Sequence, residues 1–322
     1  MPLGAGREGR RGPLYNTPQR RAGEKLAVGR KKRCRKRTLS SRSRAGGHRR
    51  HTSRSFRISF TVVFYMLNLQ LDRDDSLSLR ISGGIHQPLL TSLLPKLVKP
   101  GNTVIDVGAH IGYFTLQFSE LAGEKGTIVA LEPTPVTFRI LRDNCAGRKN
   151  ILLSQTAASD KTSVAQLYLC KDNIGDNHLW QEGERNWLAV QTVKLDDALA
   201  HFDKIDLLKI DTQGWEGFVL EGCVDRVLPA TRKIVLEFWP TGLTRAGYEP
   251  VKLLRLLEAY GFILYEIDEI NNRLTTASIP HLLETFKVKQ DASTQNIKSG
   301  DFTDILAIGK GESFELSGLP KR

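Results

Sequence analysis

The stretch Val104-Ile105-Asp106-Val107-Gly108-Ala109-His110-Ile111-Gly112-Tyr113-Phe114 decides how the rest of the chain reads. A short β-branched run, then glycines, then an apolar aromatic-bearing segment spells strand, tight turn, helix. The same grammar recurs downstream. Thr127–Leu131 is a second buried run ending at Glu132, and Thr134 with Pro135 opens a helix as cap and first residue. Ile151–Ser154, Leu207–Ile210, Ile234–Phe238, Phe262–Ile267 and Asp304–Ile308 read as further strands. Helices are expected over Leu89–Leu97, Gly112–Leu121, Trp215–Glu221 and Pro250–Tyr260. Strand and helix alternating across short links predict an α/β protein with a mostly parallel sheet covered on both faces. Residues 160–195 interrupt the rhythm, with Val164–Leu169 and Leu188–Val193 as strands around the polar segment Asp172–Asn186. Residues 271–302 show no clear pattern.

Upstream, the composition changes character. The 322 residues carry 47 Lys+Arg against 35 Asp+Glu, for a net charge of +12. Residues 1–55 alone hold 18 bases and two acids (Glu8, Glu24), a net of +16. The remaining 29 bases and 33 acids give the body a net of −4. The leader is rich in Gly, Ser and Arg and poor in apolar residues, so nothing in it offsets the entropy of ordering; it reads as a disordered tail. Its charge also suits phosphate contact, and its Arg-rich, acid-poor composition overlaps that of organelle transit peptides. Ile58–Leu71 is uncharged but too short to span a bilayer. With Ser76–Ile81 it reads as a hairpin turning near Asp72–Asp75. The expected organisation is a tail over 1–55, a hairpin and lead-in helix over 56–100, a catalytic-size domain over 101–310 and a C-terminal tail over 311–322. A 40% hydrophobic content excludes full disorder. Four scattered cysteines (Cys34, Cys145, Cys170, Cys223) argue against a zinc ribbon or disulfide scaffold and fit reduced thiols in a cytoplasmic protein.

In a parallel sheet of this kind, ligands sit beyond the carboxyl ends of the strands. Glu132 ends the second strand, 24 positions after Gly108, where a carboxylate can accept hydrogen bonds from both hydroxyls of a ribose. A dinucleotide site would require G-x-G-x-x-G. Counted from Gly108, the second and third glycine positions are His110 and Tyr113, whose bulk keeps a pyrophosphate off the backbone. A nucleoside bearing a cationic sulfonium needs no such approach, and Asp106 at the strand end favours positive charge. The residues therefore favour S-adenosyl-L-methionine over NAD.

Four ordered segments resemble the FkbM family of class I methyltransferases: Val104–Phe114; Ala130-Leu131-Glu132-Pro133; Leu208-Lys209-Ile210-Asp211-Thr212-Gln213-Gly214-Trp215-Glu216-Gly217, preceded by Val193–Asp197; and Ile234-Val235-Leu236-Glu237. The likeness runs from about residue 60 to 310. It implies a Rossmann-like seven-stranded sheet, S-adenosyl-L-methionine as donor, and methylation of a hydroxyl on a sugar or other small metabolite. By position, Asp106, Gly108, Ala109, His110 and Gly112 would form the donor loop, Glu132 would hold the ribose, and residues 156–158, centred on Ala157, would lie near the adenine. His110 stands where this family often has Asn, and Gln213 where Glu is common.

On the acceptor side, Asp211 directly follows a buried strand and is a candidate to orient or deprotonate a hydroxyl; capping the next helix is the structural alternative. His178, in the inserted polar segment, is the second candidate base. Glu216 suits a capping role or a pair with Lys209. Glu237 ends a strand and lines the site or is held structurally. Trp180, Trp187, Trp215 and Trp239 either stack on an acceptor or pack in the core. No metal-ligand spacing is present. Two other functions compete: an RNA methyltransferase docking through residues 1–55, and a donor-binding module without catalysis.

Overall fold

The computed structural model describes residues 85–170, 173–181, 183–287 and 301–312. The basic tail, the hairpin expected within 58–81 and nearly all of the C-terminal tail lie outside these.

The core is one eight-stranded sheet, in the order β10-β9-β11-β8-β7-β1-β2-β3. Its strands are β1 (Thr103–Val107), β2 (Thr127–Leu131), β3 (Ile151–Ser154), β7 (Leu207–Ile210), β8 (Lys233–Phe238), β9 (Ile263–Asp268), β10 (Arg273–Thr276) and β11 (Thr303–Ile308). The strands expected for this sheet beyond residue 100 are all present. β10 is an addition, an antiparallel edge on β9 within the stretch whose sequence shows no pattern. The β1–β2, β2–β3, β1–β7 and β7–β8 pairs are parallel. β11 runs antiparallel between β8 and β9. The expectation of strands in the interrupting segment also holds: β5 (Ser163–Tyr168) and β6 (Trp187–Lys194) pair antiparallel, and β6 is joined by β4 (Ala157–Ser159) in a second, three-stranded sheet.

Alternate residues of each central strand feed two apolar cores, one per sheet face. On one face Ile105, Leu208, Ile210, Ile234, Leu236 and Ile305 join a helical layer that includes α8 (Pro250–Ala259). On the other, Val104, Leu207, Val235 and Leu306 meet α1 (Pro88–Leu97) and α2 (Tyr113–Ala122). Leu89, Leu90, Leu93, Leu94 and Leu97 of α1 are all buried there. The lead-in helix thus shares its core with α2 and the sheet beyond residue 100. Glu269 fixes its start, accepting hydrogen bonds from the amides of Leu89 (2.9 Å) and Leu90 (2.8 Å). A carboxylate placed this way satisfies two otherwise orphan donors and meets the positive end of the helix dipole.

Helix α3 (Pro135–Asn144) begins with Pro135 as expected, but the Thr134 side chain does not cap it. Instead the Thr134 amide donates to Glu132 Oε1 (2.9 Å), which ties the strand-end acid to the start of that helix.

Candidate functional site

Three loops meet at one end of the sheet around a cavity of about 560 Å³, a size usual for a cofactor site. The first loop follows β1. Gly108, His110 and Gly112 all have positive φ, at 79°, 51° and 94°. The amides of Gly108 and Ala109 both donate to the Leu131 carbonyl, at 3.0 and 2.9 Å, which pins the loop to the end of β2. A Cβ on Gly108 would lie 1.9 Å from the backbone oxygen of Asp211. The glycine is needed for the β1 and β7 loops to touch, a reason that the sequence does not display.

Glu132 joins the first loop to the second. Its carboxylate accepts from the His110 amide (3.1 Å) and the Thr134 amide (2.9 Å), and it lines the cavity. A carboxylate has about four acceptor sites, so others remain for two ribose hydroxyls. Burial pushes its pKa up to about 7, against the opposing pull of the amides. Donor hydroxyls favour the ionised form, so affinity for the donor rises with pH up to about 7 and levels off above it. Below that point it falls at up to about tenfold per unit. Glu132→Gln removes this dependence; calorimetric titration of S-adenosyl-L-methionine at pH 6, 7 and 8 checks it.

The third loop follows β7. Glu216, at the start of α5 (Glu216–Glu221), is fully buried and accepts from the Thr212 amide (2.8 Å), the Thr212 hydroxyl (3.1 Å) and the Gly214 amide (3.2 Å). It shapes the turn from beneath. Gln213, at φ 56°, donates from Nε2 to both Asp211 Oδ1 (2.9 Å) and Glu237 Oε2 (3.1 Å). One amide thus bridges two carboxylates. A glutamate in its place would set an acceptor-only carboxylate against Asp211, where the amide now donates.

Beneath the loops, a row of ionisable side chains crosses four neighbouring strands on one sheet face. Asp106 is paired in register with Lys209, and Glu237 with Asp304. Lys209 Nζ lies 3.7 Å from Asp106 Oδ1 and 3.5 Å from Asp211 Oδ2, and it sits 5.1 Å from the centre of the Phe114 ring. Burial pushes the Asp106 pKa up, opposed by Lys209 and by the Thr115 hydroxyl at 2.6 Å. Burial works the same way on Asp211, but Lys209 and Gln213 outweigh it and hold Asp211 below its ordinary value. Burial, then Asp211, raises Glu237 well above its ordinary range and Asp304 to about 8. The row therefore favours the ionised form of Asp211 and the protonated forms of Glu237 and Asp304.

Of the residues expected at the site, Gly108, His110, Glu132, Ala157, His178 and Asp211 line the cavity. Asp106, Ala109 and Gly112 do not. Asp106 is fully buried beneath the loop and engaged by Thr115 and Lys209. Ala109 is spent on the bond to Leu131, and a Cβ on Gly112 would meet Leu141 and Cys145. These three act on the loop's shape. The expectation of His178 as a base does not fit its surroundings. Its ring stacks on Trp180 at 3.8 Å and 7°. Nδ1 lies 2.7 Å from the Trp180 carbonyl, and Nε2 lies 3.0 Å from the Arg185 guanidinium. A guanidinium only donates, so Nε2 is its acceptor and Nδ1 carries the proton; the lone pair needed for proton abstraction is occupied.

Trp215 and Trp239 line the cavity, whereas Trp187 is exposed on the small sheet. Trp180 donates its indole N–H to the Gln213 carbonyl (3.0 Å), which braces the third loop. Sequence reasoning passes over Lys209 as a site residue and misses His86, Gln87 and Asp304, of which the last three line the cavity. A buried lysine in Leu208-Lys209-Ile210 is the one visible signal, since an unpaired lysine is almost never buried. Among the described residues, no group of His, Cys, Asp and Glu is arranged to hold a metal ion.

The cavity lies at the carboxyl end of a mostly parallel sheet, between a glycine-turned loop, the Glu132 carboxylate and an acidic far wall, the place where α/β proteins of this class bind their ligands. The model of the Methyltransferase FkbM domain matches residues 106–264. Over these residues the chain is of this family of S-adenosyl-L-methionine-dependent methyltransferases. It is 30% identical over 177 residues to the 31-O-demethyl-FK506 methyltransferase FkbM of Streptomyces tacrolimicus, covering 44% of this chain and 66% of that protein. It is 26% identical over 194 residues to the methyltransferase sdnD of Sordaria araneosa, covering 49% and 73%. A SAM-dependent O-methyltransferase structure from Thermotoga maritima aligns over 72% of this chain and 68% of that one, at 13% identity and a TM-score of 0.37.

Proposed function

We propose that the protein transfers a methyl group from S-adenosyl-L-methionine to a hydroxyl of a sugar or other small metabolite. One observation carries this reading: one cavity is lined both by Gly108, Glu132 and Ala157 and by Asp211 and Glu237, with room for two reactants. The donor, when bound, supplies an electrophilic methyl carbon next to a sulfonium. Gly108 and Glu132 hold its nucleoside; the Asp211 charge favours the sulfonium and aligns an acceptor hydroxyl. Holding carbon and oxygen in line supplies much of the rate. The Streptomyces relative acts, by its name, on an O-demethyl position, which supports oxygen as the acceptor atom.

Residues 101–310 are the catalytic unit in this reading, aided by the lead-in helix. Among the described residues no helix is long and apolar enough to cross a membrane. Cys145, Cys170 and Cys223 are free thiols, which favours a cytoplasmic setting.

The test incubates the protein with methyl-labelled donor and separated small-molecule, glycan, lipid and RNA extracts. Label in the small-molecule or glycan fraction, on oxygen, supports the reading; label confined to RNA replaces it. The net charge of +16 on residues 1–55 favours RNA as the second acceptor class. Under that alternative, deleting residues 1–55 weakens RNA binding and flattens its salt dependence.

A further inference from the structure

We infer that Gln213 is a positioning residue: its side-chain amide orients Asp211 toward the acceptor and ties it to Glu237 across the cavity wall. The assignment rests on the methyl-transfer reading above.

Asp211, Gln213 and Glu237 all line the cavity. A primary amide carries two N–H donors on one nitrogen. Gln213 directs them at two carboxyl oxygens, Asp211 Oδ1 (2.9 Å) and Glu237 Oε2 (3.1 Å). On the other side, Lys209 Nζ lies 3.5 Å from Asp211 Oδ2. Asp211 is therefore held at both oxygens, by an amide and by an ammonium. Rotation about its Cβ–Cγ bond breaks one contact or the other. Each oxygen keeps a second acceptor position for a ligand hydroxyl.

The turn presents this amide at a conformational cost. Gln213 has φ 56°, a region that glycine enters more readily than any residue with a Cβ. Three hydrogen bonds hold the turn there. The Thr212 and Gly214 amides donate to Glu216 Oε1 (2.8 and 3.2 Å), and the Gln213 carbonyl accepts from the Trp180 indole (3.0 Å). Trp180 belongs to the inserted segment, whose residues 173–179 also line the cavity. The insert thus supports the amide that orients Asp211. Glycine would complete the same turn at lower cost, so the backbone does not account for the glutamine; its amide does.

Ionisable groups act on this pair of carboxyls from several elements. Lys209 lies on β7, Glu216 on α5, Asp304 on β11 and His86 before α1. Lys209, the Gln213 amide and His86 favour the ionised form of Asp211. Asp211, Glu216 and Asp304 disfavour the ionised form of Glu237. The amide therefore bridges one carboxyl that is stabilised as an acceptor and one that is not. A side chain there that cannot donate frees Asp211 to turn.

The test uses the full-length protein and three variants. Gln213→Gly removes the amide and eases the backbone, and Gln213→Met keeps the length without the donors. In both, the Asp211 carboxyl, followed by NMR and assigned with Asp211→Asn, is expected to titrate ~1 pH unit higher than in the parent. With labelled donor and the extract that the parent methylates, kcat falls about 10²-fold while the donor KM holds. Gln213→Glu gains a basic limb in its kcat profile that the parent lacks: protonated, the new carboxyl donates to Asp211, and ionised it does not. An unmoved Asp211 midpoint in both Gln213→Gly and Gln213→Met overturns the assignment. So does parental turnover in either, or a slowed Gln213→Glu whose pH profile matches the parent's. Loss of the fold in all three variants overturns it as well, because the side chain would then be structural. If the parent labels no extract, the methyl-transfer reading fails, and the Asp211 midpoint alone decides whether Gln213 positions that carboxylate.

Discussion

Replacing Gly108 by alanine lowers stability by about 3 kcal/mol and abolishes donor binding. Two costs combine. The backbone at this position has φ 79°, which a side chain adopts with difficulty. The new Cβ would also lie 1.9 Å from the Asp211 carbonyl oxygen, which belongs to a backbone segment and cannot rotate away. The Asp211 amide donates to the Val107 carbonyl at 3.0 Å, so the β7 loop is bonded to the strand that the new methyl would push it from. Gly101→Ala is the control, because φ is 82° there and nothing lies within 4 Å of the added carbon. It carries the backbone cost alone, about 1–2 kcal/mol. Urea melts of both variants with calorimetry on S-adenosyl-L-methionine separate the effects. A Gly108→Ala variant no less stable than Gly101→Ala would show that the two loops do not meet in this way.

Lys209→Met carries the largest stability cost, about 3–5 kcal/mol. Among the described residues the lysine is the cation within 4 Å of both Asp106 and Asp211, and its side chain is 5% exposed. Without it, Asp106 keeps the Thr115 bond but loses its countercharge in a site it cannot leave. Asp211 loses the charge that holds it ionised, so methyl transfer falls as well. Adding Asp106→Leu to Lys209→Met recovers much of the stability, because an apolar pair of similar volume replaces a broken ion pair. It does not recover turnover, because Asp211 still lacks its cation. Denaturant midpoints of the single and double variants test this; a double variant no more stable than the single would contradict the account.

The sheet and the turn after β1 were legible because burial on both faces leaves short uninterrupted apolar strands, and a positive-φ turn requires glycine. The place of Glu132 on the cavity wall was legible for the same reason: it is the first polar residue after such a strand. Asp304 was not. Parallel strands present their last residues to the site, but β11 runs the other way, so its second residue arrives there. No local pattern in Thr303–Ile308 announces a reversed strand. His86 was hidden differently. It precedes α1 by two residues, and only the packing of α1 and α2 onto one sheet face carries it to the end of β7. His178 misled because a polar segment suggests an exposed loop; in the fold the residue is 1% exposed and stacked on Trp180. Asp106 misled by a smaller step. Its place at a strand tip suggested the ligand, but strand alternation turns it toward the α1–α2 core, where Thr115 and Lys209 meet it.

Calorimetric titration of the purified protein with S-adenosyl-L-methionine and, separately, with NAD tests the central claim most directly. The account predicts heat with the sulfonium nucleoside, an affinity that strengthens from pH 6 to pH 7, and loss of that pH dependence in Glu132→Gln. Uptake of NAD with no heat from S-adenosyl-L-methionine would contradict it.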